Sequence, residues 1–272
     1  MNRQVQIAPV GYEYDRIIEG AFVHACNIIY LLKSYKPIED ESDPDKDMVT
    51  RAEWFVEKLE DHFKQSKICT PIVRKAILIQ LEPIIEELCK IIKEEVENYD
   101  TKEIWINIST STKLFASAAM YVGSFMSEIV HLFYIDASHY TVDDLYNPDM
   151  SKKEVLERYQ TYGITYKKDD KSYKNVDVPV YPTEVLSDPK KQILKNMRKL
   201  TEEEREKKVT FKTLLVALEE DPYNKGAKMK FAHHLSNLIE RKFMLDEYHG
   251  RQRRFQLTQE GQILSLILQY FD

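Results

Sequence analysis

The stretch Ile104–Lys113, IWINISTSTK, decides the fold class, because a buried strand runs there into a polar loop and the start of a helix. Ile104–Ile108 is a short, almost continuous apolar run, which is typical of a strand covered on both faces of a parallel sheet. Consecutive hydroxyl side chains and a lysine follow, and residues 112–127 have a helical pattern. The stretch predicts one strand–loop–helix unit of an α/β protein.

The same alternation extends in both directions along the chain. Further strands are predicted at Val5–Val10, Asn27–Leu32, Ile68–Val73 and Val130–Ile135. Intervening helices are predicted at Arg16–Cys26, 48–65 and Leu81–Asn98. The expected fold over residues 1–136 is a Rossmann-like, open, doubly wound parallel sheet, which binds ligands at the carboxyl ends of its strands.

Two further regions complete the predicted organisation. Residues 137–189 are rich in Tyr and Pro and are expected to connect two domains, with a helix near 151–161 and a hairpin near 164–180. Residues 190–272 are expected to fold as a winged helix-turn-helix domain. Its predicted elements are helices at Lys190–Lys199, Phe211–Glu220, 227–243 and Gln259–Phe271, with a hairpin turning at His249–Gly250.

Composition excludes several classes of protein. Apolar residues make up 43% and charged residues 31% of the 272, as in globular proteins. No apolar run approaches the roughly 18–20 residues of a membrane span, and the N-terminus lacks a secretory segment, so we expect a cytoplasmic protein without a membrane partner. Three distant cysteines favour small buried side chains over disulfides or a zinc site. Residues 190–272 hold 17 Lys and Arg against 12 Asp and Glu, whereas residues 1–189 hold 22 against 33. Only the C-terminal region is therefore expected to meet an anionic polymer.

The predicted helix 227–243 has the two-sided character of a DNA-recognition helix. Its apolar side comprises Ala232, Leu235, Leu238, Ile239 and Phe243. The residues predicted to contact double-stranded DNA are Lys225, Lys228, Lys230, His234, Asn237 and Arg241 of this helix, with Arg251, Arg253 and Arg254 of the hairpin. The alternative is a winged helix that binds only proteins.

Two loops that follow predicted strands are candidate ligand sites. Gly11 permits a tight exit from the first strand, and the helix start after it can present backbone N–H groups to an anion. Ser109, Thr110, Ser111, Thr112 and Lys113 offer donors to a phosphate or a ribose. The alternative for this second loop is a simple N-cap. The common nucleotide-binding, hydrolase and zinc-protease motifs are absent from the sequence, so we expect no cofactor and no metal.

These loops resemble those of archaeal regulators that join a CRISPR-associated Rossmann-fold (CARF) domain to a winged helix. Pro9, Gly11, Asp15 and Arg16 match that family's first loop. Asn107–Lys113 matches its Asn-Ile-Ser-Thr-Gly-Thr-Lys loop, with Ser111 in place of the glycine. The segment Leu257–Gly261 resembles the Leu-Thr-x-x-Gly that follows the wing.

The resemblance implies a homodimer whose paired sensor domains form one pocket for a cyclic oligoadenylate or a related nucleotide. Gly11, Tyr12 and Ser109–Lys113 would line it, and Glu13 and Arg16 of the first loop are counted with them as ligand-binding residues. Ligand binding would then alter DNA affinity. The rival is an enzyme, a ring nuclease that cleaves its ligand with help from Lys113, although the sequence shows no general base for it.

Overall fold

The computed structural model describes residues 3–34, 46–110, 112–137, 139–166, 173–180, 186–203, 208–250 and 252–271. The chain divides into two compact units, Met1–Pro182 and Thr183–Asp272. Of the segment 137–189, which the sequence set apart as a connection, residues 137–182 lie within the first unit.

The first unit is built on a mixed six-stranded sheet. Its strands are β1 (Gln4–Val10), β2 (Ile28–Ser34), β3 (Thr70–Ala76), β4 (Glu103–Asn107), β5 (Val130–Asp136) and β6 (Lys174–Val178). Their order is β3-β2-β1-β4-β5-β6. The first five strands are parallel, and β6 pairs antiparallel with β5. The sequence prediction of a mostly parallel sheet in an α/β fold is confirmed. The hairpin predicted near 164–180 lies partly outside the described residues, and its described strand, β6, pairs with β5 and extends the sheet.

The described part of this unit also contains five α-helices. They are α1 (Asp15–Val23), α2 (Lys46–Ser66), α3 (Leu81–Tyr99), α4 (Lys113–Phe125) and α5 (Lys152–Tyr162). A 3₁₀ helix spans Thr141–Tyr146. Because parallel crossovers are right-handed, the reversal of strand order after β3 puts α1 and α2 on one face and α3 and α4 on the other. Gly20 lets α1 approach the sheet closely, since a Cβ there would lie 2.8 Å from the Phe133 ring and 2.9 Å from Asn107 Nδ2.

A buried carboxylate closes the amino-terminal edge of the sheet. Glu95 of α3 is fully buried and accepts hydrogen bonds from Arg3 (2.6 and 2.8 Å), Tyr30 (2.6 Å) and Thr101 (2.8 Å). Burial opposes ionisation of Glu95, but these hydrogen bonds outweigh it and lower its pKa. The ion pair between Arg3 and Glu95 therefore ties the residue that precedes β1 to α3.

In its described residues, the second unit combines four helices with a small antiparallel sheet. In chain order its elements are α6 (Asp188–Glu203), β7 (Val209–Thr210), α7 (Phe211–Ala217), α8 (Lys225–Glu240), β8 (Met244–His249), β9 (Gln252–Leu257) and α9 (Gln259–Tyr270). The strands are arranged β7-β9-β8. The strands β8 and β9 form the hairpin expected around His249 and Gly250, where Gly250 has a φ of 61° that favours glycine.

Candidate functional site

The two loops singled out in the sequence leave the sheet at its switch point. Strands β1 and β4 are neighbours, and the chain runs from β1 into α1 on one face and from β4 into α4 on the other. Diverging connections open a crevice outside the carboxyl ends of such strands, where open α/β sheets bind ligands. The strand order thus brings together loops that lie about a hundred residues apart in the sequence.

Asn107 joins the two loops. Its side chain is fully buried; Nδ2 donates to the Arg16 carbonyl oxygen (3.1 Å) and Oδ1 accepts from the Ser109 N–H (2.9 Å). A second link is the Thr110 hydroxyl, which donates to the Pro9 carbonyl oxygen at 2.6 Å. Each of these hydrogen bonds satisfies a buried backbone group, and together they hold the two loops against each other. We call the two loops, with Gly11 and Tyr12 from the first and residues 109–113 from the second, the rim of the site.

Glu13 and Arg16, expected as ligand contacts, are buried beneath the first loop. Arg16 Nη1 lies 3.0 and 2.9 Å from the two Glu13 carboxylate oxygens, and its Nε donates to the Ile135 carbonyl oxygen at 2.6 Å. Thr165 donates to Glu13 at 3.1 Å. Burial raises the pKa of Glu13, although Arg16 and Thr165 favour its charged form. In this structure the pair fixes the shape of the loop, so its effect on a ligand would be exerted through that shape.

The remaining predicted ligand residues differ in accessibility. Gly11 and Tyr12 are half-buried, and a Cβ on Gly11 would meet no atom within 4 Å. Ser109 is buried, and its hydroxyl accepts from the Ile135 N–H at 2.6 Å. Thr112 and Lys113 are exposed. The Thr112 hydroxyl accepts a hydrogen bond from the Phe115 N–H, so this loop includes the N-cap that was the alternative prediction for it. Ser111 lies outside the described residues. Among the described residues of this loop, the exposed groups are thus the α4 N-terminus and the Lys113 ammonium.

The segment 139–166 folds against the first loop, which the sequence did not indicate. Gly163 forms a bridge with Glu13, and the Ile164 N–H donates to the Tyr12 carbonyl oxygen at 2.8 Å. Gly163 has a φ of 87°, and a Cβ there would lie 1.8 Å from the Tyr12 oxygen. Only glycine permits this approach, so the segment is an integral wall of the site.

A polar network also missed by sequence reasoning lies inside that wall. Asp144 of the 3₁₀ helix is buried and contacts His139 (2.8 Å), Tyr166 (2.7 Å) and Arg158 (3.3 Å). No local pattern signals it, because each residue alone resembles an ordinary surface or packing residue.

In the second unit, the buried stripe of α8 differs from the expected one. Phe231, Leu235 and Leu238 are buried, whereas Ala232 and Ile239 are only half-buried. The stripe is therefore rotated by about one residue, since Phe231 takes the first core position. The opposite, most exposed stripe comprises Met229, His233, Ser236 and Glu240.

This rotation separates the predicted DNA contacts into two groups. Lys225, Lys228 and Lys230 are exposed near the start of α8. His234, Asn237 and Arg241 are half-buried, and burial together with nearby positive charges lowers the pKa of His234. On the hairpin, Arg253 Nε lies 2.7 Å from Asp246, Arg254 is half-buried, and Arg251 lies outside the described residues. Of the predicted DNA contacts on α8, the exposed ones are therefore the three lysines near its start.

Other chemistry receives little support from the described residues. Cys26, Cys69 and Cys89 are buried free thiols, and burial raises the pKa of each to about 12, so none forms a thiolate at neutral pH. Within the described ranges, no three or more side chains of His, Cys, Asp or Glu gather as a metal site. Nor does any helix there combine the length and apolarity required to cross a membrane.

Three solved structures are similar to the chain at low identity. Csm6 of Enterococcus italicus bound to cyclic hexa-2'-fluoro-hexa-dAMP has a TM-score of 0.43 at 10% identity, with 89% of this chain and 56% of that chain covered. Can2 of Sulfobacillus thermosulfidooxidans in complex with cyclic tetra-adenylate has a TM-score of 0.32 at 11% identity, with 98% and 62% covered. A type III CRISPR defence DNA nuclease activated by cyclic oligoadenylate has a TM-score of 0.35 at 12% identity, with 93% and 37% covered. The chain spans less than two thirds of each of these proteins, and likenesses this distant assign it no ligand.

A match to a family of sequences is more informative. No curated protein matches the chain. The family's sequence model matches residues 4–140, about half of the chain, a range that contains β1 to β5 and both loops of the site. The chain belongs to the family described as HFX_2341_N:-like, N-terminal.

Proposed function

We propose that the protein is a ligand-responsive DNA-binding regulator, in which the first unit binds a cyclic oligoadenylate or a related nucleotide. The observation that carries the proposal is the meeting of the two loops at the switch point, where Asn107 joins them. The first loop and the α4 N-terminus can present N–H groups to phosphates, and Lys113 adds an exposed positive charge. Nucleotide ligands suit this combination.

The choice of a cyclic oligoadenylate rests on the resemblance of the two loops to those of CARF regulators. We place the ligand on the two-fold axis of a homodimer, so that each protomer supplies one copy of the rim formed by Gly11, Tyr12 and residues 109–113. A ring of four or six nucleotides fits a two-fold pocket better than an odd ring does. The proposed location is the cytoplasm.

For the second unit, we propose a winged helix-turn-helix that binds double-stranded DNA. Helices α7 and α8 with the turn between them would form the helix-turn-helix, and β8 and β9 would form the wing. Lys225, Lys228 and Lys230 are exposed at the end of α8 that would approach the phosphates. The outward stripe with His233 and Ser236 would then face base edges, in place of His234 and Asn237.

Regulation requires the ligand to bind two arrangements of the dimer unequally, since a ligand without such a preference shifts no equilibrium. We propose that engagement of the rim changes how the two sensor units meet, and with it the spacing of the two α8 helices.

Calorimetric titration with cyclic tetra- and hexa-adenylate tests the sensor. Wild type is expected to bind one ring per dimer, and Lys113→Ala to lose about tenfold or more in affinity, because a charge-assisted hydrogen bond is worth roughly 1.5–3 kcal/mol. Lys102→Ala is the matched control, since Lys102 is an exposed lysine at the opposite end of β4. Absence of binding by either ring, or equal effects of the two variants, would contradict the proposed site.

DNA binding is tested separately. Affinity for a duplex is expected to fall steeply with salt, because neutralised phosphates release counterions. If the second unit binds a protein partner and shows no salt-dependent affinity for DNA, the protein-binding alternative is supported and the proposal of a DNA-binding regulator is wrong.

A further inference from the structure

The polar network around Asp144 has the geometry of an oriented base. The Asp144 side chain is 1% exposed, and both of its oxygens are occupied: Oδ1 by His139 Nε2 at 2.8 Å, and Oδ2 by the Tyr166 hydroxyl at 2.7 Å and by Arg158 at 3.3 Å. The His139 side chain retains 16% exposure. The carboxylate is therefore enclosed, whereas the imidazole reaches the surface.

The hydrogen-bonding roles of this pair follow from the contacts of Asp144. Burial opposes ionisation of Asp144, but the hydrogen bonds from Tyr166 and His139 outweigh it and lower the pKa of the carboxyl. An ionised Asp144 requires His139 to donate from Nε2, which leaves Nδ1 with a lone pair when the imidazole is neutral. A buried carboxylate that fixes the tautomer and orientation of a histidine is the arrangement that hydrolytic enzymes use for a general base.

The network lies at the same edge of the sheet as the candidate ligand site. His139 follows the end of β5 by three residues, and within β5 the Ile135 N–H donates to the Ser109 hydroxyl of the β4 loop at 2.6 Å. Four residues of extended chain span at most about 14 Å, so the His139 backbone lies within that distance of Ile135 beside the rim. Tyr140 in turn forms a bridge with Thr165, which hydrogen-bonds to Glu13 beneath the first loop.

We propose that His139, oriented by Asp144, is a general base that opens the ring of the nucleotide ligand. This inference rests on the proposed function, because it requires a ribonucleotide ring at the rim. His139 Nδ1 takes the proton of a ribose 2′-hydroxyl, and the 2′-oxygen forms a bond to the adjacent phosphorus. The bond from phosphorus to the 5′-oxygen breaks, that oxygen takes a proton from solvent, and His139 returns its proton to solvent. The product is a linear oligonucleotide with a 2′,3′-cyclic phosphate and a 5′-hydroxyl, an isomer of the ring, so no further reactant is consumed.

The other residues of the site have roles that this chemistry requires. The Lys113 ammonium is exposed at the rim, where it can stabilise the negative charge that accumulates on the phosphate oxygens. Arg158 and Tyr166 hydrogen-bond to Asp144, and the Tyr166 ring also packs against the His139 imidazole with 5.0 Å between the centroids, so both are positioning residues.

The test is single-turnover cleavage of cyclic tetra- and hexa-adenylate by the full-length protein, with products separated by chromatography and identified by mass spectrometry. His139→Gln retains a side-chain donor for Asp144 but has no nitrogen lone pair that can accept a proton. We expect this variant to bind the ring with wild-type affinity and to open it about 10²–10⁴-fold more slowly, the usual contribution of a general base. His249→Gln, the same substitution at an exposed histidine of the second unit, is the matched control and should open the ring at the wild-type rate. A ring with 2′-fluoro groups should bind and remain intact, because it lacks the attacking hydroxyl.

Each outcome separates the two proposals. If wild type binds a ring but leaves it closed, or if His139→Gln opens it within about threefold of the wild-type rate, the base assignment is wrong while the sensor stands. If no ring binds to wild type, the proposed ligand is wrong and the base assignment falls with it. Cleavage of the 2′-fluoro ring would overturn the attack by the 2′-hydroxyl.

Discussion

Replacement of Asn107 by alanine should weaken the first unit and its site together. The substitution removes two buried hydrogen bonds, to the Arg16 carbonyl oxygen and from the Ser109 N–H, and leaves both backbone groups without this partner. An unsatisfied buried polar group costs about 1–3 kcal/mol. With the small cavity left by the amide, we expect a loss of roughly 2–5 kcal/mol in the free energy of unfolding. For a unit of this size, at about 2–4 °C per kcal/mol, that corresponds to a fall in Tm of about 4–20 °C.

The assay can report on the first unit alone, because both tryptophans, Trp54 and Trp105, belong to it. Urea unfolding followed by tryptophan fluorescence therefore avoids the ambiguity of a two-unit transition. Asn147→Ala is the matched control, since Asn147 accepts a single local hydrogen bond from the Asp149 N–H at a surface turn. Its expected cost is below about 1 kcal/mol. Equal losses in the two variants, or a loss below about 0.5 kcal/mol for Asn107→Ala, would refute the view that this side chain joins the loops.

Three further changes test other parts of the structure. Gly163→Ala places a Cβ 1.8 Å from a backbone oxygen of the first loop at a φ of 87°. It should lower the free energy of unfolding, measured in urea, by about 2–4 kcal/mol and weaken ligand binding. Gly11→Ala is the control, because its Cβ meets no atom within 4 Å and should change the free energy of unfolding little. Glu95→Gln should cost about 3 kcal/mol at neutral pH. Since folding lowers the pKa of Glu95 below its ordinary 4.5, its contribution is present above that pH and is lost as the pH falls further; wild-type stability should therefore decline in acid more steeply than that of the variant. Lys228→Ala should weaken duplex binding across all sequences and lower the slope of log affinity against log salt by about 1, measured by fluorescence anisotropy, whereas Lys102→Ala should leave both unchanged.

The alternation of strands and helices could be predicted from the sequence because it depends on local periodicity. The apolar stripe of α3 and the short apolar runs of β1 and β4 each report how a segment is buried, whatever its neighbours are. The two loops were also found in this way, since a glycine or a cluster of hydroxyls after a buried strand is a local pattern. The two loops meet because β1 and β4 are adjacent in the sheet, and this strand order is common to doubly wound sheets.

What the sequence could not predict depends on contacts between distant residues. Glu13 was predicted to be a ligand contact, but Thr165, 152 residues away, and Arg16 enclose it. His139 gave no sign of a role until the fold placed Asp144, Arg158 and Tyr166 around it. On α8 the apolar pattern fitted two stripes one residue apart, and the packing of Phe231 chose between them.

The sequence by itself determined the mostly parallel α/β sheet, the position of the two rim loops and the helices and hairpin of the second unit, because those features follow from the burial pattern and turn chemistry of single segments. Only the tertiary structure decided that 139–166 forms a wall of the site, that β6 joins the sheet antiparallel, and which polar side chains are enclosed. Burial of a polar group depends on the partners that surround it, and partners far apart in the chain leave no local pattern.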